Sequence, residues 1–67
     1  MAKIMARCKI PLYTDVTVRD NVPEGSSYAA GEHGVISCIW EEGKAYDVEL
    51  YHPFRVILLR ADEIKVH

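Results

Sequence analysis

Nothing in this sequence approaches the roughly 18 consecutive apolar residues that a membrane-spanning helix needs, and residues 1–7 are too short and too interrupted for a signal peptide. Positive charge is not in excess: ten acidic side chains against eight basic ones leave a net charge of −2, so no chain-wide attraction draws it to DNA or to acidic membrane surfaces. Cysteine is scarce. Cys8 and Cys38 lie far apart with no secretory leader before them, and the expectation is a reduced, cytoplasmic protein with free thiols. No pair of His or Cys falls at a metal-ligand spacing, so neither a metal nor any other cofactor is expected. Internal repeats, low-complexity tracts and a second domain are also missing.

What remains is the composition of one soluble globular unit, 49% hydrophobic and 27% charged over 67 residues. A domain of that length buries only about 60% of its unfolded surface, so its core is marginal or is shared with a partner. Helical periodicity is poor, whereas short runs of β-branched and aromatic residues recur between turn signals, which predicts an all-β fold. A strand is expected over residues 13–19, with Val16 and Val18 inward and Tyr13, Asp15, Thr17 and Arg19 outward. A second run, 34–41, places apolar residues on both parities, as a bulge or two-sided burial would. After a polar turn at 41–44, the run 45–51 alternates Tyr46, Val48 and Leu50 against Asp47 and Glu49, completing a hairpin. His52-Pro53 breaks it, and 54–59 restarts as a strand whose two faces are both apolar. A helical turn at 60–63 and a last strand over 64–66 complete five strands with a 3-10-like turn before the last, the arrangement of an SH3-like barrel over residues 13–67. Residues 1–12 form an N-terminal extension or an extra edge strand.

The segments Tyr28-Ala29-Ala30-Gly31-Glu32-His33-Gly34-Val35-Ile36, Ala45-Tyr46-Asp47-Val48-Glu49-Leu50 and Leu58-Leu59-Arg60-Ala61-Asp62-Glu63-Ile64 resemble a family of short bacterial SH3-like proteins of unassigned function. The chain is also similar to the small stromal subunit of photosystem I, through Gly34-Val35-Ile36 and the ending Ala61-Asp62-Glu63-Ile64-Lys65-Val66, and that resemblance implies a docking accessory. Gly34-Val35-Ile36, Trp40, Ala45-Tyr46-Asp47-Val48-Glu49 and His52-Pro53 resemble the plasmid-type dihydrofolate reductases, barrels that build one active site at the centre of a tetramer. Their catalytic strand carries Val-Gln-Ile-Tyr where this chain has Val56-Ile57-Leu58-Leu59. The positions that would bind cofactor and folate are apolar here, so that activity is not carried over and no enzyme is expected.

Three features bear on function. Trp40, Phe54, Ile57 and Leu59 exceed what so small a barrel can bury on both faces of two strands, and they form the expected interface, covered either by the N-terminal extension or by a second copy. The long loop over 20–31, with Asn21, Pro23, Tyr28 and Gly31, leads to Gly34 and is either a binding feature flanking that interface or a tolerated excursion. Gly31 and Gly34 bracket a strand entry where φ is positive or the backbone crowded. The acidic set Glu41, Glu42, Asp47 and Glu49 reads as a solvated face or as a surface for a basic partner. Cys38 reads as a small core residue rather than a nucleophile. The expectation is therefore a non-enzymatic docking or oligomerisation module that binds a protein partner or itself. The alternatives are a ligand pore between barrels and a nucleic-acid module using Tyr13, Arg19, Tyr28, Arg55 and Arg60, for which no basic cluster is visible.

Overall fold

The computed structural model describes residues 9–67. Those residues form five antiparallel strands in one sheet: β1 (Asp15–Val18), β2 (His33–Trp40), β3 (Ala45–Leu50), β4 (Arg55–Arg60) and β5 (Ile64–Val66), in the spatial order β4-β3-β2-β1-β5. A 3-10 turn, Ala61–Glu63, precedes the last strand, as the sequence predicts. The fold is all-β with the strand count and turn of a small SH3-like barrel. Among the described residues the sheet is not closed by hydrogen bonds, so β4 and β5 are its outermost strands.

Strand periodicity decides the core. Val16 and Val18 from β1, Ile36 from β2, Tyr46, Val48 and Leu50 from β3, Leu59 from β4 and Ile64 from β5 are buried on the concave face. Ile10, Val22, Tyr28, Ile39 and Ile57 pack around them. The two parities of β2 are explained by a bulge between Ile36 and Cys38. The extra residue, Ser37, donates its hydroxyl to the Asp47 carbonyl (3.3 Å), and Ile36 before it and Ile39 after it both turn inward.

Each glycine bracketing the entry to β2 solves a different problem. Gly31 has φ +88 and open space around it, so it is there for its backbone. Gly34 is there for its missing side chain: a Cβ would stand 2.5 Å from the Glu49 carbonyl oxygen and 2.7 Å from Leu50 Cδ2. This close approach lets β2 lie flat across β3 at the Gly34–Leu50 pair.

The first strand begins two residues later than expected, because Tyr13 takes φ 67 and cannot extend it. Hydrogen bonds still run from Tyr13 N–H to the Ile36 carbonyl and from Ile36 N–H to the Thr14 carbonyl. Residues 9–12 are not a strand; Ile10 N–H donates to the Tyr46 hydroxyl (3.0 Å), fixing this segment beside the β2–β3 hairpin. The rest of the expected N-terminal extension, residues 1–8, lies outside the described residues.

The loop over 20–31 is tied down at both ends. Val18 N–H donates to the Glu32 carbonyl and Gly31 N–H to the Val18 carbonyl. Arg55 grips Glu32 through two bonds, Nη2 to Oε1 (2.7 Å) and Nη1 to Oε2 (3.1 Å), and also donates from Nη1 to the Ser27 carbonyl (2.7 Å). Ala29 N–H completes the carboxylate's shell at 2.8 Å. The Arg55 fork holds the Glu32 carboxyl below its ordinary value, helped by Ala29 and opposed by partial burial.

Candidate functional site on the outer sheet face

The surface that stands out is the convex face of β2, β3 and β4. Register pairs run Trp40 beside Ala45 and Ala45 beside Arg60; Cys38 beside Asp47 and Asp47 beside Leu58; Val35 beside Glu49 and Glu49 beside Val56. Trp40 (47% exposed), Val56 (50%) and Leu58 (63%) therefore share one face with the acidic side chains of β3 between them. Trp40, Glu41, Ala45, Asp47 and Leu58 line a shallow groove of about 300 Å³. At the far end, Phe54 (60%) leans on Tyr51 with ring centroids 5.7 Å apart, and the Tyr51 hydroxyl donates to Glu49 Oε1 (2.9 Å). That hydrogen bond raises the phenol pKa.

The expected interface residues are divided by this geometry. Trp40 and Phe54 are exposed, but Leu59 is buried in the core and Ile57 packs against it, so neither presents its side chain to the convex face. The physical reason is the ladder with β3: Leu59 pairs with buried Tyr46 and Ile57 with buried Val48, and paired residues share a face. The residues the sequence reading missed are their neighbours, Val56 and Leu58.

Backbone geometry adds a second property to the same two residues. Ala61 N–H donates to the Lys44 carbonyl, toward β3, whereas Arg60 N–H donates to Glu63 Oε1 (2.8 Å), away from it. Main-chain groups of successive residues in an antiparallel strand point to alternate sides, so Leu59, Ile57 and Arg55 bond to β3 while Leu58 and Val56 face the open edge. Among the described residues, nothing bonds the edge-facing N–H and C=O groups of Val56 and Leu58.

Elsewhere the geometry is less suggestive. Asn21 and Gly31 line an open depression of about 530 Å³ with Arg19, Asp20, Asp62 and Lys65, whose charges are mixed. Pro23 caps a loop turn by accepting from the Ser26 hydroxyl (2.7 Å), and Tyr28 packs on the core. His33 is the first residue of β2, and its ring stacks on His67 with centroids 5.5 Å apart, both rings reaching the Thr17 hydroxyl. No cluster of three metal-ligating side chains occurs among the described residues. Cys38 is half-buried opposite Asp47 on the convex side, not in the core. Of the residues considered for nucleic acid, Arg55 is engaged with Glu32, Tyr28 with the core, and Arg19 Nε donates to the Ile64 carbonyl. No helix among the described residues is long and apolar enough to cross a membrane.

Comparison with protein-family models, with curated proteins and with solved structures finds no match for this chain.

Proposed function

We propose that this chain is a protein-docking module without catalysis of its own, engaging its partner through the convex face of β2–β4 and the open edge of β4. The observation that carries the reading is the coincidence at Val56 and Leu58 of exposed apolar side chains with backbone groups that have no partner among the described residues. An uncovered strand edge is a template for another strand, and monomeric proteins blunt such edges with charge, proline or bulges. Here the four central residues of the edge strand, Val56 to Leu59, carry none of these devices. Strand addition at such an edge draws affinity from main-chain hydrogen bonds and specificity from alternate side chains, which Trp40 and the groove beside Leu58 supply. The resemblance to a docking accessory of photosynthetic electron transport points the same way, and the apolar strand that replaces the reductases' polar signature supports binding over chemistry.

The test is site-specific photo-cross-linking. A photoreactive residue is placed at Leu58 or, as control, at exposed Glu24, and the folded protein is irradiated in an extract of its native cells. Leu58 should give an adduct of one discrete mass and Glu24 none. No discrete adduct at Leu58 would defeat the docking reading.

A further inference from the structure

We infer that His33 and His67 form a two-nitrogen site for one divalent transition-metal ion of the borderline class, Zn2+, Ni2+ or Cu2+, on the outer face of β1. The site is separate from the docking reading, since no residue of the β4 edge takes part. Ligand spacings along a sequence concern neighbours in one loop or helix. These two histidines are far apart in the chain and are brought together by strand pairing.

The sheet sets their position. Thr17 lies between buried Val16 and Val18, so its side chain points outward. It stands opposite His33 of β2 on one side and Lys65 of β5 on the other, and paired residues share a face. His67 follows Lys65 by two residues and keeps that parity, its N–H donating to the Asp15 carbonyl (3.3 Å). The two histidines thus flank β1 from opposite sides. Strands two spacings apart are separated by about 9–10 Å, yet the ring centroids are 5.5 Å apart. Both side chains lean inward over Thr17. His33 Nδ1 lies 3.5 Å from Thr17 Oγ1, and His67 Nε2 reaches the same oxygen. Among the described residues no other hydrogen bond engages either ring.

That convergence matches a chelate. An imidazole nitrogen about 2.1 Å from a metal puts its ring centroid about 3.2 Å from the ion, and two such rings at a tetrahedral angle have centroids about 5.2 Å apart. The observed separation is close to this. Coordination fixes the direction of each nitrogen but not the twist of the ring about it, so the 24° between the ring planes is compatible. The ion takes the place of the hydrogen bonds to Thr17, whose hydroxyl clears the space by rotation about Cα–Cβ. The remaining nitrogens, His33 Nε2 and His67 Nδ1, keep the protons. Neutral imidazoles suit Zn2+, Ni2+ and Cu2+ and not Mg2+ or Ca2+, which take oxygen ligands. No third metal-ligating side chain is in place among the described residues, so water fills the other positions. The bound ion ties β2 across β1 to the end of β5, a strand of three residues, and stabilises the folded chain by binding it in preference to the unfolded one.

The test is calorimetric titration of the full chain with ZnCl2, with MgCl2 as control. A Cys8→Ser, Cys38→Ser background removes the thiolates, which also bind zinc. One Zn2+ per chain should bind and Mg2+ should not. His33→Gln and His67→Gln should each weaken binding at least about tenfold, as loss of a ligand does, while His52→Gln, an exposed histidine in the turn after β3, should leave it unchanged. The unfolding midpoint should rise with zinc concentration in the background chain and stay fixed in the two site variants. No zinc binding, binding that both site variants retain, or an equal loss in His52→Gln would overturn the inference. So would one Zn2+ held between two chains, read from the stoichiometry. Should a site variant fail to fold by circular dichroism, the ring signals of the unsubstituted histidines are followed by NMR during the same titration. Joint perturbation of His33 and His67 without His52 is expected there, and perturbation of one alone overturns the chelate.

Discussion

At the residue scale, a few side chains and one missing side chain set the geometry. The Cβ absent from Gly34 would collide with a main-chain oxygen, which cannot rotate away. Gly34→Ala should therefore cost about 3 kcal/mol or more, as overpacking against a fixed backbone does. Gly31→Ala meets no neighbour and bears only the positive φ, about 1–2 kcal/mol. Denaturant unfolding of the two variants checks the order, and equal losses would refute the assignment of separate roles. Glu32 makes a pH prediction. Its folded pKa lies below the ordinary 4.5, so its contribution to stability is fully present above that value and is lost as pH falls through the folded value. The unfolding midpoint of the native chain should drop more steeply below pH 4.5 than that of Glu32→Gln; parallel acid profiles would show that the Arg55 fork contributes nothing. Both glycines announce themselves in the sequence, but the partnership of Glu32 with Arg55, 23 positions apart, does not.

At the scale of elements, β4 carries the account. Leu59→Ala should destabilise the fold by about 2–5 kcal/mol, because it empties a core position. Leu58→Ala, on the exposed face, should change the stability of the dilute chain by no more than about 0.5 kcal/mol. Reversal of that order would mean that the strand sits in the opposite phase. This phase is what the sequence conceals. The run Val56-Ile57-Leu58-Leu59 is apolar on both parities, so alternation within it says nothing. The flanking arginines disagree by one residue: reading Arg55 as outward sends Ile57 and Leu59 outward, whereas reading Arg60 as outward sends Val56 and Leu58 there. Arg60 is the reliable guide. Arg55 lies on the core side and is tolerated because Glu32 neutralises it at the rim. The β2–β3 hairpin was legible because β3 alternates cleanly; the mixed parity of β2 left a bulge and two-sided burial open, and the register shift between Ile36 and Cys38 selects the bulge.

At the scale of the whole molecule, the described residues close one face of the sheet over eight buried side chains and leave the other face apolar beside the β4 edge. Small domains bury a low fraction of their surface, and a partner seated on the outer face at Val56 and Leu58 would let this one bury more. The 3-10 turn at Ala61–Glu63 contributes to that arrangement: Glu63 accepts from the Arg60 N–H at the end of the edge, leaving Val56 and Leu58 as the residues whose backbone faces outward from it.

Photo-cross-linking at Leu58 in an extract of the native cells tests this most directly. The photoreactive residue should give an adduct of one discrete mass, and adding Val56→Lys, which places a charge on the same edge, should abolish it. No discrete adduct at Leu58, or one that Val56→Lys leaves unchanged, would contradict the account.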